Sequence, residues 1–467
     1  MLFRDLLYLI VVAVLSPWLL WRAARTGRYR RDLSAKLCGS RPALAKGTPV
    51  AWFHGVSVGE IHLLVTVVAA FRQRHPDFAV VVSSTTDTGL AEARARFADG
   101  TVIAFPFDFS WAVRTTLDAV RPAVVALAES EMWPNFLAAA GERGVPVVVI
   151  NARMSPRSFA RLNRVAGLVR SLLFRHVTAF AVQSDDYAAR LRQLGVSEGK
   201  LTVTGSVKFD GATADRDTPK ARELRRLLCI RAGCVSDGPV SVSHASGSVV
   251  VAGSTHAPEE EIVLRAFADL RARHPDLRLI LVPRHPDRFE EVAKLLEASG
   301  LPFARRSRLT DPPADPPAVL LLDTVGELGA AWSLADVGFT GGSLDGKRGG
   351  QSMIEPAGYG VPVVFGPHVW NFRDAAKRLV EVGGALMVET ADELGPALDR
   401  LLADAELRAR VGATARQFVR DNQGATAKTL DVIGAVLGSA VGAWDGKPSH
   451  PSGSLRSPRR PPPRGGR

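Results

Sequence analysis

Residues 50–60 read Val-Ala-Trp-Phe-His-Gly-Val-Ser-Val-Gly-Glu, and the rest of the chain is organised around them. Residues 50–53 are a short apolar run of strand-favouring side chains, the signature of a buried strand. Residues 54–59 form a turn of small residues, in which Gly55 and Gly59 can take backbone angles closed to other residues. From 61 to 72 the apolar positions Ile61, Leu64, Val65, Val68 and Phe71 recur at helical spacing. Ser57 and Glu60 stand in the Ser-x-x-Glu arrangement of a capping box, which gives Glu60 a structural role at the helix start. The same carboxylate has a second reading. At the mouth of a parallel sheet, where open α/β folds bind ligands, the helix dipole helps keep it ionised, as a general base requires. Local pattern leaves both open.

Outward from this unit the alternation continues. Strand patterns fall at 79–83, 102–105, 123–127, 145–150, 179–183 and 201–204, with helical stretches between them. The pattern lapses over 211–248 and resumes with strands at 249–253, 277–282, 319–322, 337–340 and 362–365. Such alternation predicts two parallel sheets, each with helices on both faces. At 467 residues the chain is also too long for one core, and two domains of roughly 200 residues fit it. The expected division is 31–215 for the first domain, 216–248 for a linker or insertion, and 249–440 for the second domain. Residues 441–467 are disordered by their Pro/Arg-rich composition. Glu129, Glu131, Asn151, Arg153 and Arg284 all follow predicted strands, on the edge where such sheets bind ligands.

Hydrophobic residues make up 46% and charged residues 23%, the composition of a folded protein. The net charge of +12 points to anionic partners: nucleic acid, a lipid surface or phosphorylated substrates. Part of that charge sits in the tail, on Arg456, Arg459, Arg460, Arg464 and Arg467. Three scattered cysteines, Cys38, Cys229 and Cys234, make neither a disulfide framework nor a zinc site, and a reducing compartment is the simplest reading. From Leu6 to Trp21 no residue is charged, and Arg22, Arg25, Arg28, Arg30 and Arg31 follow. A signal peptide, a tilted anchor, a monotopic helix and an ordinary buried helix all compete for this run. No small-residue cleavage site follows it. Residues 1–30 are therefore expected to be a retained membrane anchor with a basic cytoplasmic flank.

In the second half, Gly341-Gly342-Ser343 and Gly349-Gly350-Gln351-Ser352 flank Lys347-Arg348. Glycines let backbone N–H groups approach an anion, and a helix from about residue 352 would aim its N-terminus at one. Arg284 and Lys208 can each pair with a phosphate or carboxylate, or be plain surface cations. There is no P-loop, and no Asp-x-Asp stands out as a metal clamp. His54, His256, His285 and His368 lack ligand spacing, so hydrogen bonding or capping is expected of them, and no metal site.

Six ordered motifs resemble one family. They are Trp52-x-His54-x-x-Ser57-x-Gly59-Glu60, Glu129-x-Glu131-x-Trp133-Pro134-Asn135, Asn151-Ala-Arg153-x-Ser155, Thr204-Gly-x-x-Lys208-Phe-Asp210, Pro283-Arg284-His285-Pro286 and Gly366-Pro-His-x-x-Asn371-Phe. They are similar to those of the 3-deoxy-D-manno-octulosonic acid (Kdo) transferases of lipopolysaccharide synthesis. The resemblance covers about residues 1 to 425. It implies a GT-B glycosyltransferase of two Rossmann-like domains, with CMP-Kdo held by the second. The implied acceptor is the lipid A precursor, a phosphorylated, acylated glucosamine disaccharide. The implied place is the cytoplasmic face of the inner membrane, with an anionic membrane surface as partner and no nucleic acid. The family's general base falls on Glu60, and its transition-state-stabilising positions fall on Glu131 (preferred over Glu129) and Lys208. Its nucleotide contacts fall on Pro283, Arg284, Val325, Gly326, Glu327, Ser352, Met353, Ile354 and Glu355. Ser352 departs from the asparagine usual there. Neither a cofactor nor a metal is implied. The competing functions are a GT-B-fold nucleotide-sugar epimerase and a non-catalytic lipid-binding relative.

Overall fold

Apolar β-branched runs at regular intervals fold into two seven-stranded parallel sheets in a computed structural model, which describes residues 4–10, 12–14, 16, 32–212, 215–228, 247–313 and 315–441. The first sheet comprises β1 (Val50–His54), β2 (Ala79–Ser84), β3 (Thr101–Ala104), β4 (Val124–Ala128), β5 (Val147–Ala152), β6 (Ala179–Val182) and β7 (Leu201–Val203). Its order is β3-β2-β1-β4-β5-β6-β7, so β1 is the central strand from which the winding reverses. The second comprises β8 (Val249–Thr255), β9 (Arg278–Pro283), β10 (Phe303–Arg305), β11 (Val319–Leu321), β12 (Val337–Thr340), β13 (Val363–Phe365) and β14 (Ala385–Met387). Its order is β10-β11-β9-β8-β12-β13-β14. The reversal here lies between β8 and β12.

Alternation along β1 explains the two buried faces of the first sheet. Val50 and Trp52 pack with Val81, Phe105 and Phe136 on one side. Ala51 and Phe53 pack with Ile61, Leu64, Val68 and Phe71 of the helix Val58–Arg74 on the other.

Two domain boundaries differ from expectation. The helix Ala425–Val441, expected to close the second domain, buries Leu430, Ile433, Val436 and Leu437 against the first sheet's core. Its apolar stripe finds an open sheet face there, and Asp210 accepts the amides of Gly424 (2.7 Å) and Thr426 at the crossing. In the presumed linker, the helix Pro219–Leu227 buries Ala221 and Leu224 against Val249, Val251 and Trp332, so it belongs to the second domain. Residues 229–246, the rest of that predicted insertion, and the tail from 442 lie outside the described residues. So do Cys229 and Cys234; Cys38 is free and exposed.

Of the expected anchor, residues 1–30, only 4–10, 12–14 and 16 are described. Residues 4–10 are helical, and among the described residues no helix is long and apolar enough to cross a membrane.

Candidate active site

The reversal points of parallel sheets leave crevices at the strands' C-terminal ends. The two crevices face one another here across a cavity of about 640 Å³. Glu60 (after β1), Glu129 (after β4), Arg153 (after β5) and Lys208 (after β7) line its first-domain wall. Ser254, Arg284, Thr340, Gln351, Ser352, Glu355 and Asn371 line the opposite wall.

Glu60 fulfils the capping box and faces the cavity at once. Its amide donates to Ser57 Oγ at 3.3 Å, the Ser57 hydroxyl donates back to Oε1 at 2.9 Å, and Val56 N–H donates to Oε2 at 2.8 Å. Neither Gly55 nor Gly59 takes a left-handed angle, contrary to expectation. Gly55 serves close approach instead: a Cβ there would lie 3.1 Å from Glu60 Cβ and 3.2 Å from Leu64. Burial raises the Glu60 pKa above the ordinary carboxylate value, and the charge of Glu129 adds to that, while the two hydrogen bonds and Arg153 work the other way.

Left-handed backbone appears where the sequence has no glycine to announce it, at Glu129 (φ 58°), Asn151 (φ 51°) and Ser254 (φ 56°). Glu129 and Ser254 line the cavity and Asn151 is buried near the end of β5, and such strain persists only where its surroundings impose it. Glu129 holds two cations: Arg153 Nε at 2.9 Å and Lys208 Nζ at 3.4 Å. Lys208 also lies over the Phe372 ring, 5.4 Å from its centroid, so it spans the two domains. The resemblance favours Glu131 over Glu129. The structure puts Glu129 on the cavity wall and Glu131 half-buried beside it, its pKa raised by burial and by the charge of Glu60.

On the second wall the Arg284 side chain is exposed and makes no ion pair among the described residues, while its amide donates to Thr255 O at 3.0 Å. Glu355 lies within its field: burial raises the Glu355 pKa and the Arg284 charge opposes that.

The glycine loops differ from expectation. Gly341-Gly342-Ser343 is not an open phosphate cradle. The buried Glu259 carboxylate accepts the amides of Gly342 (2.6 Å), Ser343 (2.9 Å), Leu344 (3.1 Å) and His256 (3.0 Å). Sequence reading missed Glu259 because three of its four partners lie more than eighty residues away. Of the basic pair, Arg348 is held by Asp345. The following helix begins at Ile354 with Met353 as its cap position, so Ser352 is not the N-cap. The helix runs only to Gly358, and Ser352 instead faces the cavity. Met353 and Ile354 are buried in the core beneath, which leaves only their backbone for a ligand. Asn371 braces the loop, donating to Arg348 O at 2.8 Å. Val325, Gly326 and Glu327 do not line the cavity. Val325 is 79% exposed, Gly326 O accepts from Lys220 (2.9 Å), and Glu327 is bound by Arg306 and by the Thr324 hydroxyl (2.6 Å). Pro283 ends β9 and sets the position of Arg284.

His54 is a structural residue. It is fully buried, stacks on Phe105 at 3.8 Å, and burial pushes its pKa down to about 3.

Residues 23–211 match the family described as 3-Deoxy-D-manno-octulosonic-acid transferase (kdotransferase). Over 452 residues the chain is 35% identical to the 3-deoxy-D-manno-octulosonic acid transferase of Bordetella pertussis, covering 92% of this chain and 99% of that one. It is 32% identical over 413 residues to the transferase of the same name from Haemophilus influenzae, covering 88% and 92%. The solved structure of UDP-GlcNAc 2-epimerase from Neisseria meningitidis bound to UDP-GlcNAc aligns with a TM-score of 0.51 at 13% identity, over 83% of this chain and 99% of that one. That likeness is one of fold, two facing Rossmann-like domains of the GT-B kind. Identity at this level over nearly the whole length, together with a cleft that gathers the motif residues Glu60, Glu129, Arg153, Lys208 and Arg284, places the chain in the Kdo transferase family of glycosyltransferases.

Proposed function

We propose that the protein transfers Kdo from CMP-Kdo to the lipid A precursor (lipid IVA) in lipopolysaccharide core synthesis, with inversion at the anomeric carbon. One observation supports this most: a carboxylate from the first sheet, Glu60, and an unpaired guanidinium from the second, Arg284, line the same cavity. Glu60 takes the proton of the acceptor hydroxyl as its oxygen attacks the anomeric carbon. The bond to the CMP phosphate breaks, and the electron pair leaves with the phosphate. Arg284 and Lys208 meet that charge, and no metal is required of them. Glu355 accepts from the ribose hydroxyls. Glu129 holds Lys208 and Arg153 in place until the anionic substrates enter, and Glu131 shares the acidic wall. The basic flank and N-terminal segment keep the protein on the cytoplasmic face of the inner membrane, against anionic headgroups.

The test is release of CMP from CMP-Kdo by the detergent-solubilised full chain, with and without lipid acceptor. Release that depends on acceptor, with Kdo recovered on the lipid, is the expected result. A changed sugar nucleotide without acceptor would mean an epimerase, and binding without turnover a lipid-binding relative.

A further inference from the structure

The Glu129–Asn135 loop ends in a buried polar socket that the reaction itself does not use. Two helices begin there without a side-chain cap of their own: Ser110–Val120 follows Phe109, and Pro134–Glu142 follows Trp133, neither of whose side chains can accept a hydrogen bond from the helix amides. Both caps come from elsewhere. Asp108 accepts the amides of Asn135 (2.9 Å) and Phe136 (2.8 Å). Asp5, in the N-terminal helical segment, accepts the amide of Ser110 (2.9 Å) and also its hydroxyl. Asn135 joins the two carboxylates. It is fully buried, and its side-chain amide donates to Asp5 Oδ1 (2.9 Å) and to Asp108 O (2.7 Å). Tyr8 OH donates to Asp108 Oδ2 (2.9 Å), and Arg4 donates to Pro134 O (2.9 Å). Arg4, Asp5 and Tyr8 thus all point into this socket, whereas Leu6, Leu7, Leu9 and Ile10 are about half exposed.

Glu129 needs such a socket. Its backbone is left-handed, and upstream it is fixed by β4 and by its amide bond to Ile150 O (2.9 Å). Downstream, the Ser130 hydroxyl donates to Arg153 O (3.0 Å) and Met132 packs against the core, and the turn at Pro134–Asn135 anchors the far end of the loop. We propose that the N-terminal segment is a positioning element of the transfer site: its docking on Asn135, through Asp5 and Asp108, holds the Glu129–Glu131 loop in its strained place. The segment therefore does more than tether the protein, because releasing it loosens the acidic wall of the cleft. This rests on the reading of the cleft as the transfer site.

The experiment compares the wild-type full chain with Asp5→Ala and Tyr8→Phe in detergent, where membrane delivery plays no part. Amide hydrogen exchange of residues 129–133 should rise about ten-fold or more in Asp5→Ala, with β1, β2 and the second domain unchanged. In the same variant kcat should fall about ten-fold at constant KM for CMP-Kdo. Asp5→Asn, which can still accept from Ser110, should restore most of both. If Asp5→Ala does not fold, Tyr8→Phe removes a single hydroxyl and should give the same exchange pattern more weakly. Unchanged exchange at 129–133, or a rise spread evenly over the first domain, overturns the proposal. The exchange measurement needs no turnover, so it decides the matter even if the wild type releases no CMP, a result that would sink the proposed reaction instead.

Discussion

Glu60→Gln separates the two roles that the structure gives this residue. The carboxylate accepts from Val56 N–H and from the Ser57 hydroxyl, at 2.8 Å and 2.9 Å. Glutamine keeps one oxygen for Val56, and Ser57 can turn its hydroxyl to accept from the new amide. Both bonds survive as neutral ones. A charge-assisted bond contributes about 1.5–3 kcal/mol and a neutral one about 0.5–1.5, so the loss is about 1–1.5 kcal/mol per bond and about 2–3 for the two. Burial already disfavours the charge, as the raised pKa shows, and removing it returns part of that loss. The net cost should be about 1–2 kcal/mol, a fall of about 2–8 °C in Tm for domains of this size. Turnover should drop by about 10²–10⁴, because the glutamine amide cannot take the proton. Calorimetry and acceptor-dependent CMP release on the same preparation measure both. The base works ionised, so the wild-type acid limb of kcat/KM should lie above the ordinary carboxylate value of about 4.3 and be absent from the variant's residual activity. A fall in Tm of about 10 °C or more, with kcat per folded molecule retained, would refute the reasoning and make Glu60 a cap only.

Arg284→Ala should weaken donor use about ten- to a hundred-fold and leave acceptor KM nearly unchanged, and equal effects on the two substrates would return Arg284 to a surface role. Ser352→Asn should change donor affinity by about ten-fold at most, because Ser352 caps nothing, whereas Glu355→Ala should reduce it more. Titration calorimetry with CMP-Kdo distinguishes them, and a silent Glu355→Ala beside a non-binding Ser352→Asn would contradict the site as drawn. Asp108 has a folded pKa near 6 against 3.8, raised chiefly by burial. The folded state therefore holds that proton more tightly, and the stabilisation is complete below 3.8 and lost as pH rises through about 6. Asp108→Asn should accordingly flatten the part of the Tm profile that declines over that window, and a profile of unchanged slope would place the pH sensitivity elsewhere.

Much of the fold was legible because it depends on local repetition. Apolar runs at the period of a strand, separated by helical stretches, announce parallel sheets without any long-range information. The Glu60 capping box was legible for the same reason, since all its partners lie within four residues. The candidate residues Arg284, Lys208 and Glu355 were found through their motifs, and the fold brings all three to one cavity with Glu60.

What stayed hidden rests on partners far apart in the chain. Glu259 looks like any acidic residue in a helix's first turn, yet its carboxylate occupies the amides of a loop some eighty residues on, which turned a predicted phosphate cradle into a closed structural plug. Nothing local marks Asp5, which stands next to the apolar run from Leu6, but its partners are Ser110 and Asn135. The resemblance prefers Glu131 to Glu129, and only the folded chain shows the left-handed backbone at Glu129 and its carboxylate reaching Arg153 and Lys208. The helix Ala425–Val441 carries an apolar stripe that suits either sheet, and the crossing at Asp210 sends it to the first. Periodicity and capping are short-range and are written in consecutive residues. Which distant groups satisfy a buried amide, a strained turn or an apolar face depends on where two sheets and their connections meet, and that geometry exists only once the chain has folded.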